Sequence, residues 1–152
     1  MVMVTILTHN FPTSSTDSSG IFIKQLWDTI GLPYEVVGHT TFRNNSLPKY
    51  IVGAKRELKR HRGLIVAYWI FPAGLIAWLS GRPYILNCIG LDIFMIARSR
   101  LLSWIAIPVL NKARELVFIG KYPMAVFRER FGERYSHKSR LIYLPVDSEV
   151  FN

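Results

Sequence analysis

The 152-residue sequence contains a single cysteine, Cys88. One thiol cannot form an internal disulfide or supply the several ligands of a cysteine-based zinc site, so both kinds of framework are excluded. No Lys, Arg or His lies next to it in the sequence to activate the thiol. Cys88 is therefore predicted to be a buried, unreactive residue near the end of a strand.

Acidic residues are also scarce, with 10 Asp and Glu against 19 Lys and Arg and a formal net charge of +9. This excess favours anionic partners such as nucleic acid, phosphorylated ligands or an acidic lipid surface. Five Lys and Arg residues and His61 fall within residues 55–62. They are predicted to be either the solvated end of an amphipathic helix or a patch for acidic lipid headgroups. Nucleic acid is disfavoured, because no aromatic interleaving or helix-turn-helix pattern accompanies the run.

No apolar run reaches the roughly 20 residues that span a bilayer. The uncharged stretch at residues 64–79 is interrupted by Pro72 and Gly74. The N-terminus lacks the basic start and long apolar centre of a signal peptide. The expected location is therefore the cytoplasm, with peripheral binding to the cytoplasmic face of the membrane as an extension. Trp104 could dip into a lipid interface, but packing against the core is the favoured expectation.

The rest of the sequence alternates short apolar runs with amphipathic segments. Strands are predicted at residues 2–8, 34–38, 64–68, 83–89, 115–120 and 140–144. Helices are predicted at residues 21–30, 47–60, 72–79 and 123–131, with one or two further helices, broken before Pro108, over residues 93–112. The alternation predicts an α/β fold in one domain over residues 1–152: a doubly wound, mainly parallel, Rossmann-like sheet with helices on both faces.

Ligands of such sheets bind beyond the carboxyl ends of the strands. This rule gathers His9 and Asn10, Ser19 and Gly20, Tyr68 and Trp69, Gly90 and Asp92, and Gly120 to Tyr122. The small-residue loop before the first helix can hold an anion at the helix N-terminus; a flexible loop ending in a helix cap is the alternative. The sequence has neither G-x-G-x-x-G nor G-x-x-x-x-G-K-[ST], so it lacks the usual dinucleotide and P-loop fingerprints.

Four motifs carry a family resemblance. They are ILTHNFP at residues 6–12 with GIF at 20–22, AYWIFPAG at 67–74, GLD at 90–92, and LPVD at 144–147 with Phe151. In this order and spacing the chain looks like the N-terminal half of a GT-B glycosyltransferase of family 4. The resemblance implies retaining transfer from a nucleotide-sugar to a glycan or lipid-linked acceptor, without a cofactor or a metal. It assigns Asp92 a catalytic role in the cleft, Ser19 and Gly20 to the donor phosphates, and His9, Asn10, Tyr68 and Trp69 to the acceptor.

The sequence departs from the family pattern in two places. Ile89 stands where the family usually has a histidine, and Ser19 stands where it commonly has the first of two glycines. The family's donor-binding domain would follow the last motif, so we expect this chain to need that domain or a separate donor-binding subunit for activity. A fragment, a degenerate product and a split subunit stay open. A non-catalytic binding or membrane-adaptor module is the alternative, and Asp92 is also expected to serve as a helix N-cap.

Overall fold

The computed structural model describes residues 3–12, 20–38 and 46–143. These residues form a six-stranded sheet in the order β2-β1-β3-β4-β5-β6, and all neighbouring strands are parallel. The strands are β1 (Val4–Leu7), β2 (Tyr34–Val37), β3 (Leu64–Tyr68), β4 (Tyr84–Cys88), β5 (Glu115–Phe118) and β6 (Ser139–Leu141). The predicted α/β class with a Rossmann-like, doubly wound parallel sheet is confirmed.

Six α-helices connect the strands in the described part of the chain. They are α1 (Ile21–Ile30), α2 (Leu47–Leu58), α3 (Leu75–Leu79), α4 (Leu91–Arg98), α5 (Arg100–Lys112) and α6 (Lys121–Phe131); a 3-10 helix over Gly132–Lys138 leads into β6. α1 packs on one face of the sheet through its buried residues Ile23 and Trp27. The helices α2 to α6 bury their apolar residues in a separate core on the opposite face.

β3 shows how the sheet divides the two cores. Val66 and Tyr68 belong to the core beneath α1, whereas Ile65 and Ala67 belong to the opposite core. This alternation follows from the two-residue period of a strand. The uninterrupted apolar sequence of β3 is thus explained by burial on both faces, as expected for a parallel sheet. Cys88, at the end of β4, is fully buried as predicted.

The helix break predicted before Pro108 is wrong. Ser99 separates α4 from α5 with an extended backbone, and its Oγ accepts a hydrogen bond from the Leu102 N–H at 3.3 Å. This cap satisfies one of the free N–H groups at the start of α5. Pro108 lies inside α5 instead. Because proline has no N–H, it cannot donate the usual helical hydrogen bond to the carbonyl of Trp104.

Trp104 also contradicts the expectation that it packs into the core. Its residue surface is 72% exposed, and it lies on the outer side of α5. The residues of α5 that do face the core are Ser103, Ala106, Val109 and Leu110.

Within the described ranges, the structure has no helix that is both long and apolar enough to cross a membrane.

The segment after β3 differs from its prediction as well. Pro72 was expected to start a helix, but it lies in a π-helical turn over Ile70–Gly74 in which Phe71 has a non-helical backbone, and α3 begins only at Leu75. α6 begins at Lys121, two residues before its predicted start, so Tyr122 belongs to its first turn. The limits of α1 and β3 agree with prediction at both ends. The other strand and helix limits differ from prediction at one or both ends, where sequence patterns are least informative.

Candidate functional site

The connections of β1 and β3 diverge at the carboxyl edge of the sheet. β1 and β3 are neighbours, but β1 continues through α1 on one face to β2, whereas β3 continues through α3 on the other face to β4. A point where the strand order reverses in this way leaves a crevice between the two loops, and ligands of open α/β sheets bind there. His9 follows β1 and Trp69 follows β3, so both residues lie at this switch point.

The rings of His9 and Trp69 are in contact. Their centroids are 4.6 Å apart, with an angle of 47° between the planes. Phe22 of α1 approaches the Trp69 ring edge-on at 6.5 Å. Burial lowers the pKa of the His9 imidazole below its usual 6.5, so the ring is neutral at neutral pH. The described part of the crevice therefore presents a partly exposed aromatic surface whose imidazole is uncharged at neutral pH.

The backbone of Trp69 is strained. Its φ of 71° and ψ of 143° make it the one non-glycine residue with positive φ among residues 3–12, 20–38 and 46–143. Bulky residues rarely adopt this conformation, and surrounding contacts must hold it in place. The Trp69 N–H donates to the Asn87 carbonyl at 2.9 Å, and the Trp69 carbonyl accepts from the Gly74 N–H at 3.0 Å. Strain held in this way is typical of functional sites.

Tyr68 has a supporting position and does not line the crevice. Its side chain is 1% exposed, and its hydroxyl accepts a hydrogen bond from the Trp27 Nε1–H at 2.9 Å. Burial raises the pKa of Tyr68 to about 12, although the hydrogen bond from Trp27 opposes the shift. The assignment of Tyr68 to the acceptor stays a prediction. In the structure this side chain joins α1 to β3, and the partly exposed surface comes from Trp69.

Asp92 links the loops that follow β3 and β4. Its Oδ2 accepts from the Ile70 N–H at 2.8 Å, and its Oδ1 accepts from the Gly90 N–H at 3.1 Å. The residue is 5% exposed. Burial raises the pKa of its carboxyl, whereas the N–H donors act in the opposite direction. Both oxygens are thus occupied by backbone groups, and the carboxylate is placed to fix two loops.

The expected N-cap role of Asp92 is not what the structure has. Gly90 is the N-cap of α4, and Asp92 is the second residue of that helix. From there its carboxylate still lies at the positive end of the helix, but one oxygen reaches across to Ile70. Through this hydrogen bond Asp92 holds Ile70, the residue that follows the strained Trp69. Its effect on the crevice is therefore indirect.

Gly20 and Asn10 pack together at the N-terminus of α1. Gly20 has a φ of 66°, and a Cβ at this position would lie 2.3 Å from the Asn10 carbonyl oxygen. The backbone N–H of Asn10 donates to the Thr8 Oγ1 at 3.1 Å, which fixes the turn after β1. Gly20 is therefore needed for close packing of two backbone segments. Ser19, the other residue assigned to the donor phosphates, lies outside the described residues, as do the motif at 144–147 and Phe151.

A groove between α4 and α6 was missed by the sequence analysis. Phe94 and Tyr122 stack with their ring centroids 5.6 Å apart, and the groove beside them has a volume of about 340 Å³ and is flanked by Arg98 and Arg130. These residues belong to two helices that are distant in the sequence, and no local motif connects them. The sequence analysis named Gly120 to Tyr122 as residues at the carboxyl edge of the sheet, and of the groove lining these include only Tyr122.

The chain has no match among models of known protein families or among curated proteins. Among the residues that the structure describes, no three His, Cys, Asp or Glu side chains are placed to hold a metal ion together. What the switch point offers chemically is an aromatic surface of His9 and Trp69, next to a helix N-terminus and above loops fixed by a buried carboxylate. Such an arrangement is suited to binding and orienting a small ligand.

Proposed function

We propose that this chain is the acceptor-side domain of a sugar-transfer cleft, with the donor side supplied by a second domain or a separate subunit. The observation that carries the proposal is the contact between His9 and Trp69 at the switch point of the sheet. The resemblance to the N-terminal half of a GT-B glycosyltransferase of family 4 supplies the reaction class. The co-substrate would be a nucleotide-sugar, and the acceptor a glycan or a lipid-linked sugar.

The aromatic pair is suited to a sugar ring. A pyranose has a flat face of C–H groups that can pack on an indole ring and on the neighbouring imidazole ring. Hydrogen bonds of its N–H and carbonyl groups already hold the backbone of Trp69 in place against the strain of its positive φ. A rigid aromatic surface loses little conformational entropy when a ligand binds. His9 and Trp69 are therefore proposed to contact the acceptor.

Proton transfer is not the proposed contribution of Asp92. Its two oxygens accept hydrogen bonds from Ile70 and Gly90, so it is assigned the positioning of the crevice loops. Ile89 packs, partly buried, beside the same aromatic cluster and has no polar group to offer a reacting sugar. The chain is thus proposed to bind and orient the acceptor, while the donor side completes the reacting centre.

The hydrogen-bonded carboxylate of Asp92 and the apolar side chain at position 89 also favour a second candidate function. A non-catalytic binding module would keep the aromatic surface and the loop brace but would not need a polar group at position 89. Such a module would bind a glycan without binding a nucleotide. The two functions differ in their response to UDP, GDP and nucleotide-sugars.

The test is a calorimetric titration of the purified chain with representative glycans, UDP, GDP and nucleotide-sugars. We expect glycan binding that Trp69→Ala and His9→Ala each weaken by about three- to tenfold, the range expected for one lost aromatic contact. Trp104→Phe is the matched control, because it alters an indole on the outer side of α5. Nucleotide binding by the wild-type chain would favour sugar transfer. Glycan binding alone would favour either the module or a cleft whose nucleotide site lies wholly on the donor side. Glycan affinity that is unchanged in Trp69→Ala would contradict both.

A further inference from the structure

We propose that the outer face of α2, α3 and α5 is a docking surface for a lipid bilayer that contains anionic lipids. We call this surface the outer helical face. It lies on the opposite side of the sheet from α1, and it does not depend on the sugar-transfer proposal. The argument rests on two neighbouring apolar grooves, on the exposed side chains beside them, and on the sign of the charge around them.

The first groove lies between α2 and α3. Its volume is about 430 Å³, and its apolar lining comes from Ile51, Val52 and Leu79. Val52 is 63% exposed, so one apolar side chain of this groove lies open to solvent. The rest of the lining comes from Lys55, Arg56 and Lys59. A groove lined by apolar and long cationic side chains fits a bilayer interface, where the stems of lysine and arginine contact apolar groups and their charges reach the headgroups.

The second groove lies between α3 and α5. Its volume is about 380 Å³, and its lining residues are Leu75, Trp78, Trp104, Ile105, Ile107 and Pro108. Trp104 and Leu101 project from α5 with 72% and 66% of their surfaces exposed. Because α3 forms one wall of each groove, the two grooves belong to one surface. Tryptophan is favoured at the boundary between headgroups and acyl chains.

The charge on this surface selects an anionic partner. α2, α3 and α5 contain one acidic residue, Glu57, whereas α2 carries Lys49, Lys55 and Arg56 and α5 carries Arg100 and Lys112. Lys59 and Arg60 follow α2 and are exposed. Exposed tryptophan and leucine, together with lysines that outnumber the acidic residues, are typical of interfacial membrane helices. Lysine is depleted at protein interfaces. We therefore assign this surface to a bilayer and not to a protein partner.

The experiment is co-sedimentation of the full chain with vesicles of phosphatidylcholine alone and of phosphatidylcholine mixed with phosphatidylglycerol. We expect binding to the mixed vesicles that decreases as salt increases. Each lysine or arginine near an anionic surface strengthens binding about fivefold, so the combined change Lys55→Gln, Arg56→Gln and Lys59→Gln should weaken it roughly a hundredfold. The unfolding temperature of each variant is measured to show that the fold is intact.

A matched control carries three charge removals outside α2, α3 and α5: Arg114→Gln, Lys121→Gln and Arg128→Gln, all at exposed positions. It should keep most of the binding. If it weakens binding as much as the first variant, net charge and not the outer helical face is responsible. Equal binding to both kinds of vesicle would also overturn the proposal.

The position of Trp104 gives a second, independent measurement. Brominated lipids in the mixed vesicles should quench tryptophan emission from the wild-type chain more than from Trp104→Phe. Equal quenching would overturn the assignment of Trp104 to the interface. Sedimentation of the chain without lipid as a dimer that Trp104→Ala dissociates would show that a second copy covers this surface, and that result would overturn the proposal as well. Tyr122→Ala, which removes another aromatic side chain that is 70% exposed, should leave vesicle binding unchanged.

Discussion

Removal of the Asp92 carboxylate should destabilise the protein strongly. In Asp92→Ala the N–H groups of Ile70 and Gly90, which now donate to this side chain at 2.8 Å and 3.1 Å, lose their acceptors in a buried setting. An unsatisfied buried donor costs about 1–3 kcal/mol, so two of them cost about 2–6 kcal/mol. The whole free energy of unfolding of a domain is about 5–15 kcal/mol. Asp92→Asn keeps one acceptor oxygen and should lose only about 1–3 kcal/mol.

Urea unfolding followed by circular dichroism measures both losses, with a denaturant slope that should stay constant across the variants. The order of stability should be wild type, then Asp92→Asn, then Asp92→Ala. If Asp92 were a catalytic base without a structural role, both variants would unfold near the urea midpoint of the wild type. That result, or equal losses in the two variants, would refute the argument that Asp92 acts by joining two loops.

The pH dependence of stability gives a further test of Asp92. Burial raises the pKa of this carboxyl above its usual 3.8, so the folded state holds the proton more tightly than the unfolded state does. The resulting stabilisation is complete below pH 3.8 and is lost as the pH rises through the folded-state pKa. Asp92→Asn has no such proton. The difference in stability between wild type and Asp92→Asn should therefore be larger in acid than at neutral pH, and a difference that grows towards neutral pH would contradict a raised pKa.

Three further predictions use the same unfolding assay. Gly31→Ala should lower the free energy of unfolding by roughly 1–2 kcal/mol, the cost of a left-handed backbone, because its added Cβ has nothing within 4 Å. Gly20→Ala should lower it by about 1–3 kcal/mol more, because its Cβ would overlap a carbonyl oxygen. Equal losses would refute the close packing at Gly20. Lys138→Met should lower the free energy of unfolding by at least about 1.5–3 kcal/mol, because the Lys138 Nζ donates to three carbonyls at the end of α5 at 2.7–3.0 Å. A near-neutral change would refute the argument that Lys138 caps this helix end. Trp69→Gly should be more stable than Trp69→Ala by about 1 kcal/mol, since relief of about 1–3 kcal/mol of strain exceeds the entropy cost of glycine of about 0.5–1 kcal/mol; the reverse order would refute strain at this position.

Much of the fold could be predicted from local sequence patterns. The limits of α1 and β3 agree with prediction at both ends, because Gly31 ends the helix and a short apolar run followed by a turn defines the strand. The break at Ser99 could not be predicted in the same way. Proline is the stronger local signal for a helix break, and Ser99 separates the helices through a cap and through the packing of both helices on the sheet.

The site was predicted as a set of loops more reliably than as a set of side chains. The switch-point rule correctly places His9 and Trp69 at one edge, since it depends only on strand order. The roles of Tyr68 and Asp92 depend on partners that are far away in the sequence, namely Trp27 at 41 residues and Ile70 at 22 residues. No spacing rule identifies such pairs, so the sequence placed both residues in the correct loops without indicating that their polar groups are hydrogen-bonded within the fold.

The aromatic surface itself depends on one unusual backbone angle. Regular strand geometry would direct Tyr68 and Trp69 to opposite faces of the sheet, yet both pack against the core beneath α1, with ring centroids 6.4 Å apart. The positive φ of Trp69 turns its ring to that side, where it meets His9. Asp92 binds the next N–H along the chain, that of Ile70. A buried carboxylate at the start of α4 thereby helps to hold an indole in the crevice, and its influence on a ligand would be exerted through Trp69 and not by contact.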